Sequence, residues 1–192
     1  DELLDLYLDD ERIIMISGNN HTFGKFNFNH SYEFTHHTQT YGWGTWRRAW
    51  NRYDLTMKIW PEYRTLTWLQ EKTGSKKSAE FWYRIFEMCY QNELESAWDY
   101  QWTFCCWINQ GLNIIPKENL VTNVGFNSEG THEIDPDHLI AEVPVNQIDF
   151  PLVHPLIFQN NKKLDRVIQS VIYTPPIYKR IFNKLAKIIL KK

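Results

Sequence analysis

Cysteine is scarce in this 192-residue chain, and the few present build no framework. Cys89, Cys105 and Cys106 are an odd set, two of them adjacent, with no CxxC spacing. That excludes a disulfide scaffold and a paired-cysteine zinc site, and points to free buried thiols in a reducing compartment. An excess of one charge is also lacking. The 21 basic and 23 acidic residues leave a formal charge of −2, which excludes the chain as a whole from nucleic-acid binding. No apolar run reaches membrane-spanning length, and there is no internal repeat or low-complexity tract. GxGxxG, Walker, GxSxG and HExxH motifs are all missing. The expected location is cytoplasmic. Asp1 is not an initiator methionine and the first residues already follow a helical pattern, so part of a longer protein is expected.

Aromatics, by contrast, are plentiful: nine Trp, ten Tyr and eleven Phe, 16% of the chain. They concentrate in Tyr41-Gly-Trp-Gly-Thr-Trp-Arg-Arg-Ala-Trp50. Gly42 and Gly44 allow sharp turns beside large rings. Trp43, Trp46 and Trp50 offer flat apolar faces, and Arg47 and Arg48 offer planar donor forks. Rings beside fixed donors suit a sugar, which has an apolar face and a rim of hydroxyls. The alternative is a turn and helix that bury their tryptophans, Trp46 and Trp50 sharing a face four residues apart.

Local patterns predict a mixed α/β, helix-rich chain of ordinary single-domain size. A short helix is expected over 1–10 and a buried strand over 12–17, closed by Gly18-Asn-Asn20. Residues 21–40 read as polar loop with one short strand, with His21, His36 and His37 as surface histidines. Helices are expected over 45–53 with Thr45 as cap, 62–72, 78–91, 98–109 and 164–173. In the helix over 78–91, Phe81, Ile85, Met88 and Cys89 mark the apolar side. Gly111 suits a left-handed helix end, and 112–115 a strand stopped by Pro116.

A second constellation is Glu93-Leu-Glu-Ser-Ala-Trp-Asp-Tyr-Gln-Trp102. Asp99 lies among Trp98, Tyr100 and Trp102 near a helix start. A carboxylate between aromatic walls can act as a general base toward a hydroxyl, or simply stabilise a helix N-terminus. Glu95 has the same two readings. Gln101 would orient a ligand or face solvent. His132, after the Gly130 loop, has the chemistry to ligate a divalent metal or bind phosphate, although a lone histidine is more often neither.

Taken in order, ISGNN, YGWGTWRRAW, WDYQW, GLNIIPKENLVTNVGF with a following GTH, and FPLVHP resemble the C-terminal half of a bacterial glycosyltransferase. The likeness is to GT-A type nucleotide-diphospho-sugar transferases of the family 2 style, and it covers roughly residues 1–160. It implies a partial GT-A, Rossmann-like α/β fold lacking the N-terminal nucleotide-binding half. It also implies a nucleoside-diphosphate sugar donor, a glycan or lipid-linked acceptor, and Mn²⁺ or Mg²⁺. Carried over by position, the Trp43-Gly44 loop would line donor sugar and acceptor, with Trp46, Arg47, Trp98, Gln101 and Trp102 as further substrate contacts. Asp99 would be the base, Glu95 a second candidate, and His132 the metal or diphosphate ligand. The departure is that no Asp-x-Asp follows a strand; Asp135-Pro-Asp137 has the spacing but sits in a proline-rich loop.

Residues 161–192 form an expected helical extension. Its last part, 177–192, carries an apolar stripe of Ile177, Ile181, Leu185, Ile188 and Ile189 and six basic residues without an acid. That pattern fits either an anionic inner membrane surface or a docked helix with a solvated basic face. Two other functions stay open: a non-catalytic carbohydrate-binding module with a tryptophan platform, and a scaffold whose aromatics meet another protein.

Overall fold

The run Ile13-Ile-Met-Ile16 has no polar residue to turn toward water, so it needs cover on both faces. The computed structural model describes residues 1–94, 98–123, 140 and 143–174, and in it this run follows helix α1 (Glu2–Leu6) as the buried strand β1 (Ile13–Ile16). The other strands are β2 (Tyr32–Thr35), β3 (Gly44–Thr45) and β4 (Leu112–Pro116). They join β1 in one mixed sheet of order β2-β4-β1-β3. β1 and β4 run parallel, pairing Ile13 with Leu112 and Ile16 with Ile114. Both edge strands are antiparallel, with Ile16 opposite Gly44 and Phe34 opposite Ile114.

Parallel neighbours require a long crossover. Here it passes through β2 and β3 and then α2 (Arg47–Trp50), α3 (Trp60–Tyr63), α4 (Leu66–Thr73), α5 (Lys76–Tyr90) and α6 (Trp98–Ile108). Ile14 and Met15 share a core with Trp60, Leu69, Trp82, Phe86, Trp102 and Trp107 from this layer. Ile13, Ile114, Tyr32 and Phe34 pack instead with Tyr7 and Trp46. A third cluster joins Phe26 and Ile115 to Leu164 and Ile168 of α7 (Lys162–Ile168), which runs on into a π-helical turn, Gln169–Tyr173. The fold is therefore mixed α/β. Among the described residues, no helix is long and apolar enough to cross a membrane.

Several local expectations are corrected. Thr45 does not cap a helix: it lies in β3 and its hydroxyl donates to the Ile14 carbonyl at 2.7 Å. Pro61 sits in the first turn of α3, where its missing N–H has no partner to lose. On α5 Cys89 is buried as expected, but its buried companions are Ala79, Trp82 and Phe86; the two rings fill the core and leave Phe81, Ile85 and Met88 half-buried. The three cysteines are free and buried, as expected. The histidines of 21–40 are not at the surface: His21 and His37 are buried and His36 is half-buried.

Candidate functional site

The turn after residue 40 is tied to the sheet edge by β3, and α2 follows at once, which carries Trp43 and Trp50 to one place. The start of α6 brings Trp98 and Trp102 against them. Trp43 stacks on Trp98 with centroids 5.5 Å apart and planes 26° off parallel. Trp50 stacks on Tyr53 at 4.7 Å and meets Trp102 at 5.2 Å. Trp102 is fully buried, and its indole N–H points at the Met15 sulfur, 3.3 Å away. Trp50 and Trp98 keep 40% and 36% of their surface exposed. The result is an aromatic platform with a buried floor and an accessible rim, assembled from two segments about fifty residues apart.

Asp99 stands in the first turn of α6, half-buried beside this platform, where its Oδ1 accepts the Tyr100 N–H at 3.0 Å. Burial, then the Asp99 charge, pushes the Tyr53 phenol up to about 12. The same two causes, in the same order, raise Tyr100 and Cys89. Tyr53 leans its hydroxyl toward the buried Gln101 Oε1 at 3.5 Å and the Trp98 carbonyl at 3.4 Å. The platform thus has a carboxylate, a phenol and an amide within its frame.

Not every sequence candidate arrives there. Trp46 is extended and precedes α2, so it does not share a face with Trp50. It is buried on the α1 side, its indole N–H donating to the Leu4 carbonyl at 3.0 Å. Arg48 lies over that ring at 4.5 Å and donates to the carbonyls of Tyr7, Leu8 and Ile13. It holds the end of α1 rather than a ligand. Arg47 is exposed on α2, and Gly44 pairs with Ile16 in the sheet. Glu95, His132, Asp135, Asp137 and the stretch 177–192 lie outside the described residues. Among the described residues, no three His, Cys, Asp or Glu side chains converge to hold a metal ion.

Tyr53 and a whole second concentration of polar groups were missed by the sequence reading. Beyond the carboxyl end of β1, the Asn19 amide donates to Gln39 Oε1 at 2.5 Å and the His21 N–H donates to the same oxygen at 3.3 Å. Asn20 donates from its side chain to the carbonyls of Pro116 and Lys117, and its N–H meets Asn119 Oδ1 at 2.9 Å. Asn119 in turn donates to the carbonyls of Val121 and Pro144. Gly18 and Gly42 interlock at the centre: a Cβ on Gly18 would lie 2.6 Å from the Gly42 carbonyl oxygen. The signal available was ISGNN itself, two amides placed directly after a buried strand. Comparison with protein-family models, curated proteins and solved structures finds no match for this chain.

Proposed function

We propose that this chain forms the acceptor-side portion of a GT-A type glycosyltransferase, acting on a glycan or lipid-linked acceptor with a nucleoside-diphosphate sugar as donor. The observation that carries the reading is the meeting of the two tryptophan-rich segments in one half-exposed platform with Asp99 beside it. The mixed α/β sheet is compatible with a GT-A architecture without being specific to it. A sugar ring seats its apolar face on Trp43, Trp50 or Trp98 and turns hydroxyls toward Asp99 and Tyr53. Asp99 takes the proton of the attacking hydroxyl as its oxygen bonds to the anomeric carbon. The bond from that carbon to the diphosphate breaks, and the nucleoside diphosphate leaves. Mn²⁺ or Mg²⁺ supplies neutralisation of that leaving group in such enzymes. The described residues contain no set to hold it, so the chemistry assigned to this chain is confined to the acceptor hydroxyl.

The carbohydrate-binding module stays a second reading because Asp99 accepts the Tyr100 N–H, as a helix-terminal carboxylate does. Sugar transfer by the full-length protein and its Asp99→Asn variant separates the two. Transfer in the variant is expected to fall by roughly 10²–10⁴-fold, with metal-dependent thermal shifts by UDP, GDP, CDP or dTDP unchanged. Wild-type transfer rates in the variant would end the assignment of Asp99. Glycan binding that needs neither nucleotide nor metal, with no transfer, would establish the module.

A further inference from the structure

Asn20 and Asn119 of the polar frame described above help to line an open cavity of about 630 Å³ at the carboxyl ends of the parallel strands β1 and β4. Its size falls in the range of small-molecule sites, roughly 300–1,000 Å³, and its place is where open α/β sheets commonly take ligands. We propose that this cavity binds a neutral sugar ring, as a site separate from the tryptophan platform. The proposal stands whether or not Asp99 transfers sugar.

Three features of the lining select that chemistry. Phe23 and Phe28 provide apolar faces. Asn27 and Asn146 are exposed residues of the lining, and no described residue bonds their side-chain amides. Each amide offers both donors and an acceptor, the pair of roles a ring hydroxyl needs. Among the described residues of the lining, Lys117 and Glu118 are the one cation and the one anion, adjacent and opposite in sign, so that part of the wall concentrates no charge for a phosphate.

Backbone geometry adds an independent argument. Phe23 sits at φ +50° and Gly24 at φ +71°. A bulky residue in that region is disfavoured, and glycine would be the ordinary occupant. The strained backbone nevertheless holds the Phe23 ring in the cavity wall, stacked on His21 at 5.9 Å and 17°. Strained residues of this kind cluster at ligand-contact sites. Asn20 and Asn119 are meanwhile committed to backbone partners, so the frame behind the wall is rigid before any ligand arrives.

Amide NMR of the chain with methyl glucoside, methyl galactoside and methyl N-acetylglucosaminide at millimolar concentration tests this. The expected result is shifts at Phe23, Gly24, Asn27 and Asn146 with at least one of the three. Phe23→Gly removes the ring and relieves the backbone, and is expected to weaken that binding by about tenfold, the equivalent of one ring contact. Asn146→Trp, at an exposed position, fills the cavity and should abolish the shifts while the indole signals of Trp43, Trp50 and Trp98 stay in place. No shift at the four amides with any sugar overturns the proposal. So does a larger response to uridine or to inorganic pyrophosphate, which would make the cavity a nucleoside or phosphate site.

Discussion

His37 is placed where a positive charge has no outlet. Its ring lies between Tyr173 at 5.4 Å and Trp82 at 6.3 Å, with Trp107 at its edge, and it is 2% exposed. Among the described residues its Nδ1 has no hydrogen-bond partner. Burial drives its pKa down from 6.5 to about 4, against the upward pull of Asp165. The unfolded chain therefore takes up this proton at higher pH than the native one. Stability is full above pH 6.5 and is lost as pH falls from there toward 4, by roughly 3 kcal/mol at most for this group. His36, lowered by burial as well, adds a contribution of the same sign. Urea titrations at pH 7 and pH 5 should show His37→Phe losing less stability between the two than the wild type loses. Equal losses would mean that other groups carry the acid sensitivity.

At the scale of elements, the joint between α6 and β4 is the most constrained connection. The expectation there was a left-handed Gly111, but the left-handed residue is Gln110, at φ +53°. Gly111 is needed for a different reason: a Cβ on it would lie 1.9 Å from Cδ1 of the buried Ile14 in β1. Gly111→Ala should then destabilise by about 1–3 kcal/mol, as overpacking does. Part of that loss should return in the double variant with Ile14→Val, which removes the nearest clashing atom. Equilibrium unfolding of the four proteins measures it, and strictly additive effects would rule out the contact. This joint also shows what the sequence made legible. Gly next to a strand announced a special position, and apolar runs announced β1 and β4, because their cause is local. Which atom Gly111 makes room for depends on a strand about a hundred residues away. The same holds for α5: period 3.6 revealed an amphipathic helix, while the choice of Trp82 and Phe86 over Phe81 and Ile85 came from the sheet and helices around it. The platform was half legible. Both tryptophan-rich segments stand out in the sequence, but Trp46 faces α1 only because Thr45 is drawn into β3.

For the molecule as a whole, the sheet order β2-β4-β1-β3 sets the division of labour. Loops leaving the carboxyl ends of β1 and β4 build the amide-framed cavity, and β3 with the start of α6 builds the aromatic platform. On the reading proposed above, a lipid-linked acceptor would bring the platform close to a bilayer; among the described residues no helix is long and apolar enough to cross one. The sequence of 177–192, outside the described residues, carries Lys179, Arg180, Lys184, Lys187, Lys191 and Lys192 beside an Ile and Leu stripe, with no acid, a pattern that fits an anionic membrane surface. Each basic residue near an anionic surface contributes about 1 kcal/mol, and that attraction is screened as ionic strength rises. The chain should therefore float with phosphatidylserine-containing vesicles at low salt and dissociate at high salt. Deleting 177–192 should abolish flotation while leaving the stability of the remaining domain close to that of the parent. Flotation unchanged by the deletion would move the membrane contact elsewhere. Flotation of neither protein would mean that the apolar stripe belongs against the domain, with its basic face in water.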